Sequence, residues 1–184
     1  MSNNQKPRFK ADRIVAFSAI LISLCALIVS FYEVRIMRSQ QKASLYPHLQ
    51  ISEQYGPDGF AIEAKNKGIG PAKIESLRVL VEGVPQVNLP DVFDKLLGLN
   101  HSINWNIYTV NTINYLVLEP SYDKPLFRVE WNEDSRELIK HLNDFEIEVI
   151  YSSLLGDCWK VNFRETPEEC DCPTDIDEDE QFIF

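Results

Sequence analysis

The chain has 184 residues, enough for one ordinary domain and a short appendage, so two full domains would be crowded. Its net charge of -10 is unevenly spread: residues 1–44 carry +5, residues 45–164 carry -6, and residues 165–184 hold nine acids and no base. The central segment therefore has no basic stripe to neutralise phosphates, which argues against nucleic acid as a partner.

Behind a basic segment at 1–13, the run Ile14 to Tyr32 contains no charge, no Pro and no Gly. As a helix it spans roughly 28 Å, close to the hydrocarbon thickness of a bilayer. A cleaved signal peptide would have a shorter apolar region and a small-x-small exit, whereas this run leaves into Phe31, Tyr32 and Glu33. A lipidated Cys25 is disfavoured too, because Leu24 stands where a small residue belongs. The reading is a single-pass signal-anchor in contact with the lipid bilayer.

Lys6, Arg8, Lys10 and Arg13 precede the span, and Arg35, Arg38 and Lys42 follow it. That balance, four against three, favours the N-terminus inside and the domain outside the cytoplasm over the reverse orientation. Ala16, Ala19, Ser23, Ala26 and Ser30 recur at alternating steps of three and four, placing small residues on one helical stripe. Such a stripe lets two backbones approach closely, so self-association into a homo-oligomer is expected there. Residues 33–45 keep helical residue types as a juxtamembrane helix, which Pro47 ends.

From 46 to 164 the period becomes two. Leu49 and Ile51 lead into Gly56-Pro57-Asp58-Gly59, and Phe60, Ile62 and Ala64 return on one face with Glu63 and Lys65 on the other. Leu77, Val79 and Val81 alternate with charges, as do Phe127, Val129 and Trp131. Phe145 to Tyr151 and Trp159 to Phe163 form the clearest hairpin pair. The expected fold is mainly β, an immunoglobulin-like sandwich with short helices near Asp91–Leu97 and Asp134–Leu142, preceded by one transmembrane helix.

Tyr46-Pro47, Asn66-Lys67-Gly68-Ile69-Gly70-Pro71-Ala72, and Tyr151-Ser152-Ser153 through Asp157-Cys158-Trp159 resemble motifs of a set of uncharacterised bacterial single-pass membrane proteins. The resemblance covers residues 14 to 163 and implies a transmembrane helix with an immunoglobulin-like sandwich and no agreed activity. In those similar proteins a Cys often stands at the position of Ser152, which would put two thiols across the final hairpin. This chain lacks that thiol.

The Gly-x-Gly of Asn66 to Ala72 is not a phosphate loop, since no third Gly opens a helix and Pro71 removes a donor. A structural turn with glycines at positive φ is expected instead. Outside the cytoplasm Cys158 can close a loop to Cys170 or Cys172; reduced thiols and a metal site are the alternatives, the latter short of ligands. Asp175 to Asp179 lack the Gly and final Glu of a calcium loop, so no metal and no cofactor is expected.

The tail 165–184 reads as an acidic disordered segment, yet its apolar residues Phe182, Ile183 and Phe184 suggest a recognition peptide for an unidentified basic or groove-bearing protein partner, similar either to the acidic partner-binding tips of single-stranded DNA-binding proteins or to ligands captured by strand addition. His48, His101 and His141 share no catalytic spacing with Ser102, Ser152 or Ser153. The expected function is thus a non-enzymatic binding or sensing module. The alternatives are a membrane effector that oligomerises through its helix, and a hydrolase whose site only a folded Ser-His or His-Asp geometry would reveal.

Overall fold

In a computed structural model, residues 9–107 and 116–183 are described here, without the side chains of 9–11, 107, 124 and 178. Lys6, Arg8 and Phe184 lie outside them, as does the side chain of Lys10. The chain divides into two units, residues 1–43 and 44–184. The described residues of the first lie in one helix, α1 (Phe9–Ser44). Its apolar part is long enough to cross a membrane, a property shared by an anchor and a signal sequence. No break separates the 14–32 run from the 33–45 segment, because nothing between Ile14 and Ser44 withdraws a backbone donor or breaks the helix.

The second unit holds β1 (Leu49–Tyr55), β2 (Gly59–Asn66), β3 (Ala72–Val81), β4 (Val84–Gln86), α2 (Leu89–Leu97), β5 (Trp105–Ile107), β6 (Val117–Leu118), β7 (Asp123–Glu130), α3 (Glu133–Lys140), β8 (Phe145–Ser152), β9 (Cys158–Asn162) and β10 (Glu168–Cys170). The strands form two antiparallel sheets, one in the order β1-β2-β7-β5 and the other in the order β10-β9-β8-β3-β4, with β6 also on β3. Inward residues of both sheets join one apolar core, among them Ile51, Phe60 and Val129 from the first and Leu77, Ile147 and Val161 from the second. Tyr151 fastens the layers together, since its buried hydroxyl on β8 accepts the Leu49 amide at the start of β1 at 3.2 Å.

Each helix has a reason for its start. The Asn88 side chain accepts the Asp91 amide ahead of α2, and Asn132 and Ser135 form a reciprocal capping box ahead of α3. Leu89, Val92 and Phe93 of α2 and Leu138 of α3 then bury themselves in the core.

Glu63 is 4% exposed, and Lys65 offsets the cost of burying it with an ion pair at 2.8 Å. One expectation, about the tail, needs correcting. The tail is not a disordered acidic appendage, because β10 pairs with β9, a 3-10 turn forms at Glu178–Glu180, and Phe182 is 1% exposed within the core. Composition misled because the acids are at the surface while a single aromatic carries the docking.

Candidate functional site

The feature closest to a binding site is the edge of β3. Among the described residues that strand pairs with β8 from Lys73 to Val81, with an irregularity between Ile74 and Ser76, while on the other side it pairs with β6 at Ala72 and Lys73, bonds to Leu116 through the Ile74 amide, and pairs with β4 from Val79 to Val81. Between them the backbone edge at Leu77 is open to an additional strand. The last described residues fill this gap: Phe182 N–H donates to the Leu77 carbonyl at 2.9 Å, and Leu77 N–H donates to the Gln181 side-chain oxygen at 3.1 Å. One residue on, Ile183 N–H donates to the Val87 carbonyl at 2.8 Å.

The pocket beneath suits an aromatic. Phe182 shares an apolar hollow with Phe60, Val79, Phe93, Phe127 and Phe145. Upstream, Glu180 meets the Arg78 guanidinium at 2.8 Å. Arg78 also clasps Glu148, which in turn faces Lys160 at 3.2 Å. Burial pushes the Glu148 carboxyl up, yet hydrogen bonds from Arg78 and Lys160 outweigh it and hold the group below the usual carboxylate range. The sequence placed Phe182 and Ile183 in a docking peptide without indicating this seat. Leu77 is legible only as a strand residue, and the parts played by Gln181 and Arg78 are not, because their partners Leu77 and Glu180 lie about a hundred residues away in the chain.

The sulfurs lie at another edge of the same sheet. Cys158 and Cys172 form a disulfide with Cα atoms 5.3 Å apart, while Cys170 is a free thiol directly opposite Cys158 in the β9–β10 ladder. Cys158 lies outside the apolar core that its strand neighbours Trp159 and Val161 join, and it is buried beneath the disulfide-linked tail. Ser152 also stands opposite Cys158, on β8, and donates its hydroxyl to Glu75 at 2.6 Å. Cys25 is exposed on α1, as are Ala16, Ala19, Ser23, Ala26 and Ser30. The Ser23 hydroxyl donates back to the Ala19 carbonyl at 2.8 Å, so the stripe presents little unsatisfied polarity.

The Asn66 to Ala72 motif is a clasp for residues 45–48. The buried Asn66 carbonyl oxygen accepts the His48 and Gly68 amides, and its amide nitrogen donates to the carbonyls of Gly70, Leu118 and Glu119. Gly68 and Gly70 are not among the positive-φ glycines. They are needed for close approach instead, since a Cβ would collide with the backbone of Tyr46 to His48 at Gly68 and of Leu45 at Gly70.

Among the described residues, neither His101 nor His141 is paired with a serine. His101 Nδ1 accepts the Ile103 amide at 3.3 Å and Nε2 faces Asp94 at 3.1 Å, so both ring nitrogens are engaged. The neighbouring Ser102 hydroxyl donates to Asp134 at 2.8 Å, not to the imidazole. His141 faces Asp144 at 2.8 Å, with no serine in that pair. Among the described residues no group of three or more His, Cys, Asp or Glu is placed to hold a metal ion. No protein-family model matches this chain, and no curated protein matches it.

Proposed function

We propose that the chain is a membrane-anchored binding module, an immunoglobulin-like sandwich displayed on the periplasmic side of an inner membrane, which accepts an extended peptide at the gap in the β3 edge. Occupation of that gap by Gln181 to Ile183 is the observation that carries the reading. The bound segment reports the ligand chemistry: an acidic residue for Arg78, a backbone able to pair at Leu77, and an aromatic for the hollow beneath. The chain's own tail holds the site closed, and a competing protein segment with those three features opens it. The module needs no cofactor and performs no reaction.

A protease site inserted between Thr174 and Asp175 allows the folded protein to be cut after folding. The cut protein is expected to take up a fluorescent peptide of residues 175–184, and the same peptide with Phe182→Ala is expected to bind at least tenfold more weakly, since an anchoring aromatic supplies over 1.4 kcal/mol. Failure of the cut, folded protein to exchange its tail for the labelled peptide overturns the reading.

The exposed small-residue stripe of α1 favours a second reading, an effector that oligomerises through its helix. Replacing Ala19 and Ser23 with Leu fills the stripe, and unchanged association in a membrane dimerisation assay rules that reading out.

A further inference from the structure

Three sulfurs meet at one edge of the second sheet, and one of them has two available partners. Cys158 is bonded to Cys172, yet the residue directly across the β9–β10 ladder from it is Cys170. Directly opposed residues in an antiparallel pair lie about 4.5 to 5.5 Å apart at Cα and point to the same face, within the roughly 4.4 to 6.8 Å that a disulfide spans. Cys172 is two residues further along and, on an extended chain, faces the same way as Cys170.

We propose that Cys170 is an internal exchange nucleophile that shifts the disulfide from Cys158–Cys172 to Cys158–Cys170. The Cys170 thiol gives its proton to solvent, and the thiolate attacks Cys158 Sγ. A Cys158–Cys170 bond forms as the Cys158–Cys172 bond breaks, and Cys172 departs with the electron pair and takes up a proton. No external oxidant or reductant is consumed, since one disulfide and one thiol are present before and after.

The surroundings suit both forms. The loop closed is almost the same length in either, so closure entropy barely distinguishes them. In the bonded form Cys172 has no hydrogen, and its sulfur merely touches the Gly156 carbonyl oxygen at 3.3 Å. Once released, the thiol can donate to that same oxygen, so the product gains a hydrogen bond the starting form lacks. Burial, with the Asp171 and Glu148 carboxylates nearby, holds the Cys170 thiol above its ordinary range despite the opposing charge of Lys160, so the attack needs mildly alkaline conditions. The step also changes what the surface offers: a half-buried thiol is exchanged for Cys172, which is exposed, making Cys172 the site open to alkylation or to mixed disulfides with small disulfides.

This inference is independent of the proposed peptide site, but it rests on the extracytoplasmic placement proposed above, since the disulfide persists only in an oxidising compartment. The test uses the full chain, purified oxidised in detergent, incubated at mildly alkaline pH and then labelled with N-ethylmaleimide. Trypsin leaves Cys170 and Cys172 together on the peptide after Arg164, and fragment ions localise the label. Two populations are expected, one labelled at Cys170 and one at Cys172, with the Cys172 share rising with incubation time before labelling. Label confined to Cys170 at every time overturns the proposal. Cys172→Ser provides a second arm: oxidised under the same conditions it is expected to form Cys158–Cys170, and a Cys158 that stays open to alkylation in that folded variant also overturns it.

Discussion

Asn66 shows how much one buried side chain can hold. It reaches five backbone groups from three separate segments; when the amide is removed the Glu119 carbonyl keeps the Tyr122 amide, while the other groups lose the bond Asn66 supplies. Asn66→Ala is expected to destabilise the domain by about 2–4 kcal/mol, because orphaned buried donors and acceptors keep their full desolvation cost. A lower denaturant midpoint at unchanged slope is the expected signature. Phe182→Ala should cost about 3–5 kcal/mol as a core truncation, while Ile183→Ala, half exposed, should stay within about 0.5 kcal/mol. Equal, negligible effects at both positions in thermal unfolding would mean that the tail does not dock. The acid side of stability belongs to this scale too. Glu148 has its folded pKa held below the ordinary 4.5, so its contribution is complete above that value and is lost as pH falls through the folded pKa. The domain should therefore lose stability below about pH 4.5, and Glu148→Gln should flatten that part of a stability profile.

At the scale of elements, legibility in the sequence followed the length of each pairing. β8 and β9 alternate over enough residues, and with a short enough turn, for the hairpin to be read directly, and α2 and α3 announce themselves through apolar spacing behind polar caps. β6 and β10 are two and three residues long, and β6 and the tail segment Gln181 to Ile183 take their places from partners far away in the chain; local pattern carries nothing about Ala72 meeting Leu118 or Phe182 meeting Leu77. The choice of Cys172 over Cys170 was equally hidden, as both lie on one extended face. The β3–β4 turn offers a test of local fit. Glu82 and Gly83 both take positive φ, at 50° and 77°, a two-residue turn that favours Asn-Gly. Glu82→Asn is expected to raise stability by about 0.5–1 kcal/mol, since Glu is strained there and exposed, and a lowered melting temperature would contradict it.

For the molecule as a whole, the tail is fixed at both ends of its course: by sulfur at Cys172 and by the β3 edge at Gln181 to Ile183, with exposed acids between. The two attachments have different physical origins and respond to different conditions. Reduction removes the covalent one and leaves the aromatic seat; a competing peptide removes the seat and leaves the tether. If either Cys170 or Cys172 can serve Cys158, the covalent attachment survives loss of one of them. Cys170→Ser and Cys172→Ser should then each unfold close to the oxidised parent, whereas the double substitution should fall by about 3 kcal/mol, the stabilisation expected from closing a loop of this length. Reducing the parent should reproduce the double variant. A large loss from Cys172→Ser alone, matching the double variant, would show that only one pairing supports the fold, and denaturant titration of the four proteins under matched oxidising conditions separates the outcomes.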